Sequence, residues 1–248
     1  MIHYHGTPCS GAKEQAAKFL AGRHAMISFA APEDIGIAAE VCQSFCLDNG
    51  AFSAWAAGEP VVDWTNYCDW VEQWHRHPGF DWAVIPDVID GSEEDNDQLL
   101  AEWPLENAGV PVWHLHESLL RLERLVATWP RVALGSSGEW ASVGTARWWE
   151  RMAAAMDCAC DSDQRPRAKF HGLRMLDPAI FHRLPLSSAD STNAVRNASN
   201  LYRFGQYVPP NASTRMHIIA ERIEQHQSAA VWVPLSGQPR LMFMGIEQ

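Results

Sequence analysis

Residues 44–52 read SFCLDNGAF, and the fold turns on how that stretch is read. Phe45 to Leu47 form an apolar run that stops at Asp48, and Asn49-Gly50 follow at once. Strand interiors disfavour Asp, Asn and Gly, so the run predicts a short strand, Ser44–Asp48, that ends on a carboxylate. Asp-Asn-Gly is also ordinary turn chemistry. The stretch alone leaves open whether Asp48 opens a turn or faces a ligand.

Working outward, seven more short apolar or β-branched runs share that character: Ile2–His5, Ala25–Ala30, Trp82–Asp87, Val110–His116, Arg131–Gly135, Lys169–Met175 and Leu184–Asp190. Helical patterns fill the intervals at Ser10–Leu20, Trp64–Trp74, Ser92–Glu106, Ser118–Trp129 and Thr145–Met156, while the second interval, Pro32–Val41, is short. Strands alternating with helices imply βαβ units and a parallel sheet. Eight strands in 248 residues predict an α/β fold, a single (β/α)8 TIM-barrel domain. The barrel is expected over about residues 1–205. Helices at Asn193–Tyr202 and Thr214–Gln227 lead into a covering C-terminal segment, about 206–248. No GxGxxG follows the first strand, which lowers a dinucleotide-binding reading.

Composition sets limits. The chain is 47% hydrophobic and 20% charged, enough for a sizeable core. No run approaches the ~18 apolar residues of a membrane span, and the N-terminus lacks a secretory pattern. The expected compartment is the cytoplasm. Six scattered cysteines read as reduced thiols, and without a CxxC pair no structural zinc is expected. The net charge of -11 argues against a protein that simply grips duplex nucleic acid. Arginines nevertheless gather between 165 and 222, so a local basic face fits the sequence.

In such barrels the chemistry sits at the C-terminal ends of the strands. Those ends carry His3 and His5, Asp48-Asn49-Gly50, Asp87, His114 and His116, Gly135-Ser136, His171-Gly172, and Asp190. Three carboxylates around one mouth can be driven to different pKa values. That division suits a glycosidic carbon, where one face wants a negative charge and the leaving group wants a proton. The plain readings are a turn at Asp48 or Asp87 and a helix cap at Asp190.

These motifs resemble the tRNA-guanine transglycosylase superfamily (queuine/archaeosine tRNA-ribosyltransferases), most of all its short branch that places 7-deazaguanines in DNA. The resemblance rests on Asp48-Asn49-Gly50-Ala51-Phe52, Ile85-Pro86-Asp87, Ala133-Leu134-Gly135-Ser136-Ser137-Gly138-Glu139, Lys169-Phe170-His171-Gly172-Leu173 and Ser188-Ala189-Asp190-Ser191-Thr192. They fall in family order. The resemblance implies Asp190 as nucleophile and Asp48 as the group that handles the base's proton. It implies Asp87 with the Gly135 and Ser136 backbone on the base edge, and an aromatic such as Phe52 or Trp55 stacked on the base. His114, His116, His171 and Gly172 stand at strand ends near the base, and Arg196 and Arg203 are candidates for phosphate. The partners implied are nucleic acid, DNA more than tRNA, and a free 7-deazaguanine. No cysteine follows Cys160, so the family's zinc site is not matched and no cofactor is expected. An acidic chain doing this work would draw on a dimer or a partner subunit for basic surface.

The histidines carry a competing expectation. His3-x-His5 and His114-x-His116 each place two imidazoles on one strand face, and with His171 and Asp190 they could hold metal ions as amidohydrolase-type barrels do. A non-catalytic nucleic-acid-binding barrel is a third class, disfavoured by the three strand-end aspartates.

Overall fold

The computed structural model describes residues 1–9, 13–105 and 107–234. Its strands are β1 (Ile2–Gly6), β2 (His24–Ser28), β3 (Ser44–Asp48), β4 (Phe80–Val84), β5 (Gly109–Val110), β6 (Val112–His114), β7 (Arg131–Gly135), β8 (Lys169–Gly172) and β9 (Ser188–Ser191). All pairings are parallel, in the order β5-β4-β3-β2-β1-β9-β8-β7-β6.

The sheet's two ends, β5 and β6, are halves of one stave separated by Pro111. On one side the Ile85 N–H donates to the Val110 carbonyl at 2.9 Å; on the other, the Ala133 N–H donates to the Pro111 carbonyl at 2.9 Å. Proline costs the ladder a donor, but the two carbonyls still bond to opposite neighbours. The result is an eight-stave TIM barrel whose fifth stave is split.

The helices are α1 (Lys13–Leu20), α2 (Ile35–Val41), α3 (Ala51–Ala56), α4 (Thr65–Trp74), α5 (Glu93–Glu102), α6 (Leu119–Thr128), α7 (Ala146–Ala159), α8 (Pro178–Phe181), α9 (Asn193–Asn197) and α10 (Ala212–Glu224). Their starts follow local chemistry. Ser92, Ser118, Thr145 and Asn211 each accept an N–H from three residues on, satisfying a donor that has no partner within the helix.

Several expected bounds move. The fourth strand ends at Val84, before Pro86, and the last begins only at Ser188, because Leu184-Pro185-Leu186 cannot ladder. The strand expected over Lys169–Met175 stops at Gly172, where the chain turns through Arg174 at φ 60. The helices α3 and α8 were not expected. Ser10 to Ala12, Glu106 and the tail from Leu235 lie outside the described residues.

Strand alternation sorts side chains into two clusters. Tyr4, Met26, Cys46, Trp82, Val84 and Val112 fill the barrel interior, while Ile27, Leu47, Leu134, Phe170 and Ala189 pack outward under the helices. Trp113 and Trp148 are fully buried, each a gain on the order of 2–3 kcal/mol in apolar burial. With Tyr4 inside, His3 and His5 must face outward. His5 Nε2 meets Glu224 Oε1 at 2.8 Å and His3 Nε2 meets the His226 carbonyl at 2.9 Å. The first-strand histidines share a face as expected, but not the face of the mouth.

The helix α10 packs on α1 and α9. Beyond it, Ser228 Oγ donates to the Leu186 carbonyl at 2.6 Å and Trp232 Nε1 to Asp157 at 2.6 Å. Among the described residues no helix is long and apolar enough to cross a membrane.

Candidate active site

At the C-terminal ends of the strands lies a cavity of about 480 Å³. Asp48, Asp87 and Asp190 all line it, from β3, the loop after β4, and β9. Phe52, His114, Gly135, Ser136 and Arg196 share its wall.

Asp48 ends β3 in parallel register with Ser28 of β2. Its Oδ2 accepts from Ser28 Oγ at 2.8 Å and from the Gly50 N–H at 3.2 Å. Gly50 has φ +77, and a Cβ there would lie 2.9 Å from the Ala30 nitrogen. Both facts require glycine. Burial pushes the Asp48 carboxyl up to about 7; the Ser28 bond restrains the rise, Asp190 and Asp87 add to it, and the Gly50 bond restrains it further. The group therefore stands near half-protonated at neutral pH.

Asn49, next to Asp48 in the chain, holds the Asp87 carboxylate. Its Oδ1 accepts the Ala51 N–H at 2.9 Å, while its Nδ2 donates to Asp87 Oδ1 at 2.6 Å and to the Ile85 carbonyl at 3.0 Å. Asp87 Oδ2 meets His114 Nε2 at 2.7 Å. Since a carboxylate oxygen only accepts, that nitrogen carries the proton. Buried Glu117 fixes the end of β6 by accepting the His114 N–H at 2.8 Å and an Arg121 Nη1 proton at 2.6 Å. Gly135 leaves room for this imidazole: a Cβ there would sit 2.7 Å from His114 Nδ1.

Asp190 is held from one side. Its Oδ1 accepts the Arg174 N–H at 2.8 Å and lies 3.3 Å from His171 Nε2. The Arg174 backbone reaches it from a left-handed conformation, φ 60, a strained state for a non-glycine residue that tends to occur at functional sites. The Arg174 guanidinium lies 3.8 Å over the Phe52 ring and donates to the Ser136 carbonyl. Ser136 Oγ accepts from Trp148 Nε1 at 2.9 Å. One face of Phe52 and the Ser136 carbonyl are thus already engaged by Arg174.

Four expected residues do not reach the cavity wall. His116 stacks on His114 (centroids 5.5 Å, 21°) but is exposed, bonded to Ser137 Oγ at 3.2 Å and the Gly91 carbonyl at 3.0 Å. His171 is fully buried inside the barrel, 4.7 Å from the Trp82 ring. Gly172 faces outward, where a Cβ would meet Met175 and Leu186. Arg203 is exposed on a 3-10 turn, Leu201–Phe204, with Nη1 3.5 Å from Asn193 Oδ1. Among the described residues no three His, Cys, Asp or Glu side chains are gathered as a metal set.

Sequence reading missed Arg174 and Ser28 as site residues, and placed Asn49 at the mouth without its bond to Asp87. Ser28 had a legible signal, since parallel strands of equal length put their final residues side by side. Arg174 had none, because its role depends on a backbone angle.

Compared with known proteins, the chain matches no protein-family model and no curated protein. Among solved structures it is similar to one described as "a putative fructose-1,6-biphosphate aldolase from Coccidioides immitis", with a TM-score of 0.54 and 14% identity. The likeness covers 90% of this chain and 88% of that one. At this identity it shows the fold alone, a TIM barrel.

Proposed function

We propose that the chain is a base-exchange transglycosylase that replaces guanine in nucleic acid, DNA in preference to tRNA, with a 7-deazaguanine. One observation carries the reading: three strand-end carboxylates converge on one cavity in three different settings. Asp190 is anchored through one oxygen, Asp48 is raised to about 7, and Asp87 is tied to Asn49 and His114. A cavity of about 480 Å³ falls in the usual range for small-ligand sites, ~300–1,000 Å³.

Asp190 Oδ2, which has no hydrogen bond among the described residues, attacks C1′ of the target nucleotide. The C1′–N9 bond breaks, its electron pair goes to N9, and Asp48 supplies the proton that neutralises the departing guanine. In the second half the incoming base gives its N9 proton to Asp48, N9 attacks C1′, and the Asp190 carboxylate is released. A group near 7 fits both directions, because each protonation state is well populated at neutral pH. Asp87 and His114 face the polar edge of the base. The base must leave its stack at a cost of a few kcal/mol, which contact with the Phe52–Arg174 pair partly offsets. Arg196, which lines the cavity, is the candidate for phosphate. The metal-hydrolase alternative loses support from its own residues, since His3 and His5 point into the helical layer.

The test is incubation of the full chain with labelled guanine or a labelled 7-deazaguanine and either DNA or tRNA. Label should enter DNA, and Asp190→Ala should reduce entry by at least ~10³-fold. Exchange that survives Asp190→Ala, or no label in either nucleic acid, overturns the proposal.

A further inference from the structure

Beneath Asp190 a polar chain climbs the barrel interior. It begins at Arg131, the first residue of β7, whose Nη1 donates to Ser188 Oγ at 3.1 Å. Ser188 Oγ lies 2.9 Å from His171 Nδ1, and His171 Nε2 lies 3.3 Å from Asp190 Oδ1. Ser188 and Asp190 are two apart on β9 and so share the inward face; His171, paired with Ser188 in the β8–β9 register, sits between them. His171 and Ser188 are fully buried, and the imidazole is enclosed edge-on by Trp82 and Tyr4 at 4.7 and 5.9 Å.

The Asp190 end of this chain fixes its direction. A guanidinium only donates, so Ser188 Oγ accepts from Arg131, and its second lone pair and its proton leave it able to accept from or donate to His171 Nδ1. A carboxylate only accepts, so the His171 proton must sit on Nε2. In the neutral ring Nδ1 then accepts the Ser188 proton, and the chain runs from Ser188 to His171 to Asp190. Burial also lowers the imidazole's pKa; the Asp190 bond and charge oppose that, and the Arg131 charge adds to it.

We propose that His171 is a positioning residue, locked by Arg131 and Ser188 as its Nε2–H tautomer, that pins Oδ1 of Asp190 together with the Arg174 N–H and leaves Oδ2 facing the cavity. The role assigned to Asp190 rests on the base-exchange reading. When Oδ2 bonds to C1′, Oδ1 becomes the ester carbonyl oxygen and keeps accepting from the same two donors. The donors therefore hold one carboxylate plane through both half-reactions. A neutral imidazole does this without adding a cation that would quench the nucleophile.

Two measurements test it. In the full chain labelled with 15N-histidine, His171 should show one protonated ring nitrogen, Nε2, between about pH 6 and pH 8. Ser188→Ala should move the Nδ1 signal alone. An Nδ1–H tautomer, or both nitrogens protonated at the upper end, overturns the proposal. The kinetic arm compares His171→Gln, whose amide nitrogen falls near Nε2, with His171→Asn, whose amide falls near Nδ1, and with His171→Leu. Glutamine should keep kcat within about tenfold, while Asn and Leu should lose ~10²-fold in kcat at little change in KM, the signature of a misaligned nucleophile. Equal losses in all three, or a change confined to KM, also overturn it. If the parent chain shows no base exchange, the functional reading fails by itself, and the 15N spectrum still decides the relay.

Discussion

Asp48→Asn should make the protein more stable, and only above acid pH. The Asp48 carboxyl rises from 3.8 to about 7 on folding, with burial the leading cause. At about 1.4 kcal/mol per tenfold, that rise sets an upper bound of about 4 kcal/mol. Water in the open mouth screens part of it, so ~2 kcal/mol is the expected size. The sign follows from linkage. The folded state holds this proton more tightly than the unfolded chain does. Its stabilising effect is therefore complete below about pH 4, is lost progressively as pH rises to about 7, and is flat above. The substituted amide has no proton to lose. Any constant difference in hydrogen bonding to Ser28 shifts both ends of the comparison equally. The assay is urea unfolding of both proteins at steps from about pH 4 to pH 8. The gap between them should open by ~2 kcal/mol in favour of Asp48→Asn. Parallel curves across that range would refute the raised pKa, and with it the assignment of Asp48 as the proton carrier. A more stable, inactive variant is what a functional site maintained at the expense of stability predicts.

Three further outcomes follow from the same geometry. Glu117→Gln leaves the Arg121 guanidinium, 2% exposed, opposite only the partly exposed Asp97; unfolding free energy should fall by about 3 kcal/mol, and a loss under ~1 kcal/mol in urea melts contradicts the pairing. Gly50→Ala meets both φ +77 and a Cβ 2.9 Å from the Ala30 nitrogen, so it should cost more than ~1 kcal/mol and weaken the N–H bond to Asp48, as calorimetry and the same pH series would show. At Glu224 burial favours the neutral form, but His5 and Arg23 outweigh it and hold the carboxyl down at about 2. That stability is present above about pH 4.5 and lost as pH falls towards 2, so thermal melts of Glu224→Gln should show a deficit of ~1–2 kcal/mol at neutral pH that vanishes in strong acid.

Most staves were legible because each is a local event, an apolar run ended by Asp, Asn, Gly or Pro within a few residues; the last, Ser188–Ser191, reads SADS and lies beyond the apolar run that pointed to it. SFCLDNGAF ended where it was read to end, with Asp48 as the last residue of its strand. The three aspartates were legible for the same reason, since a strand end is visible in one dimension and a barrel gathers all such ends at one mouth. Alternation along a strand showed that His3 and His5 share a face, yet only the closed barrel decided which face that was, by seating Tyr4 inside. His171 likewise stood at a strand end in sequence, but its place beneath Asp190 depends on a register between β8 and β9. Arg174 and Asn49 act through contacts spanning 16 and 38 residues, respectively. The sequence therefore determined the strands, their polar ends and the parity of each side chain. Tertiary structure alone decided inward against outward and who bonds to whom, because those depend on strand register and backbone angles that no local pattern encodes.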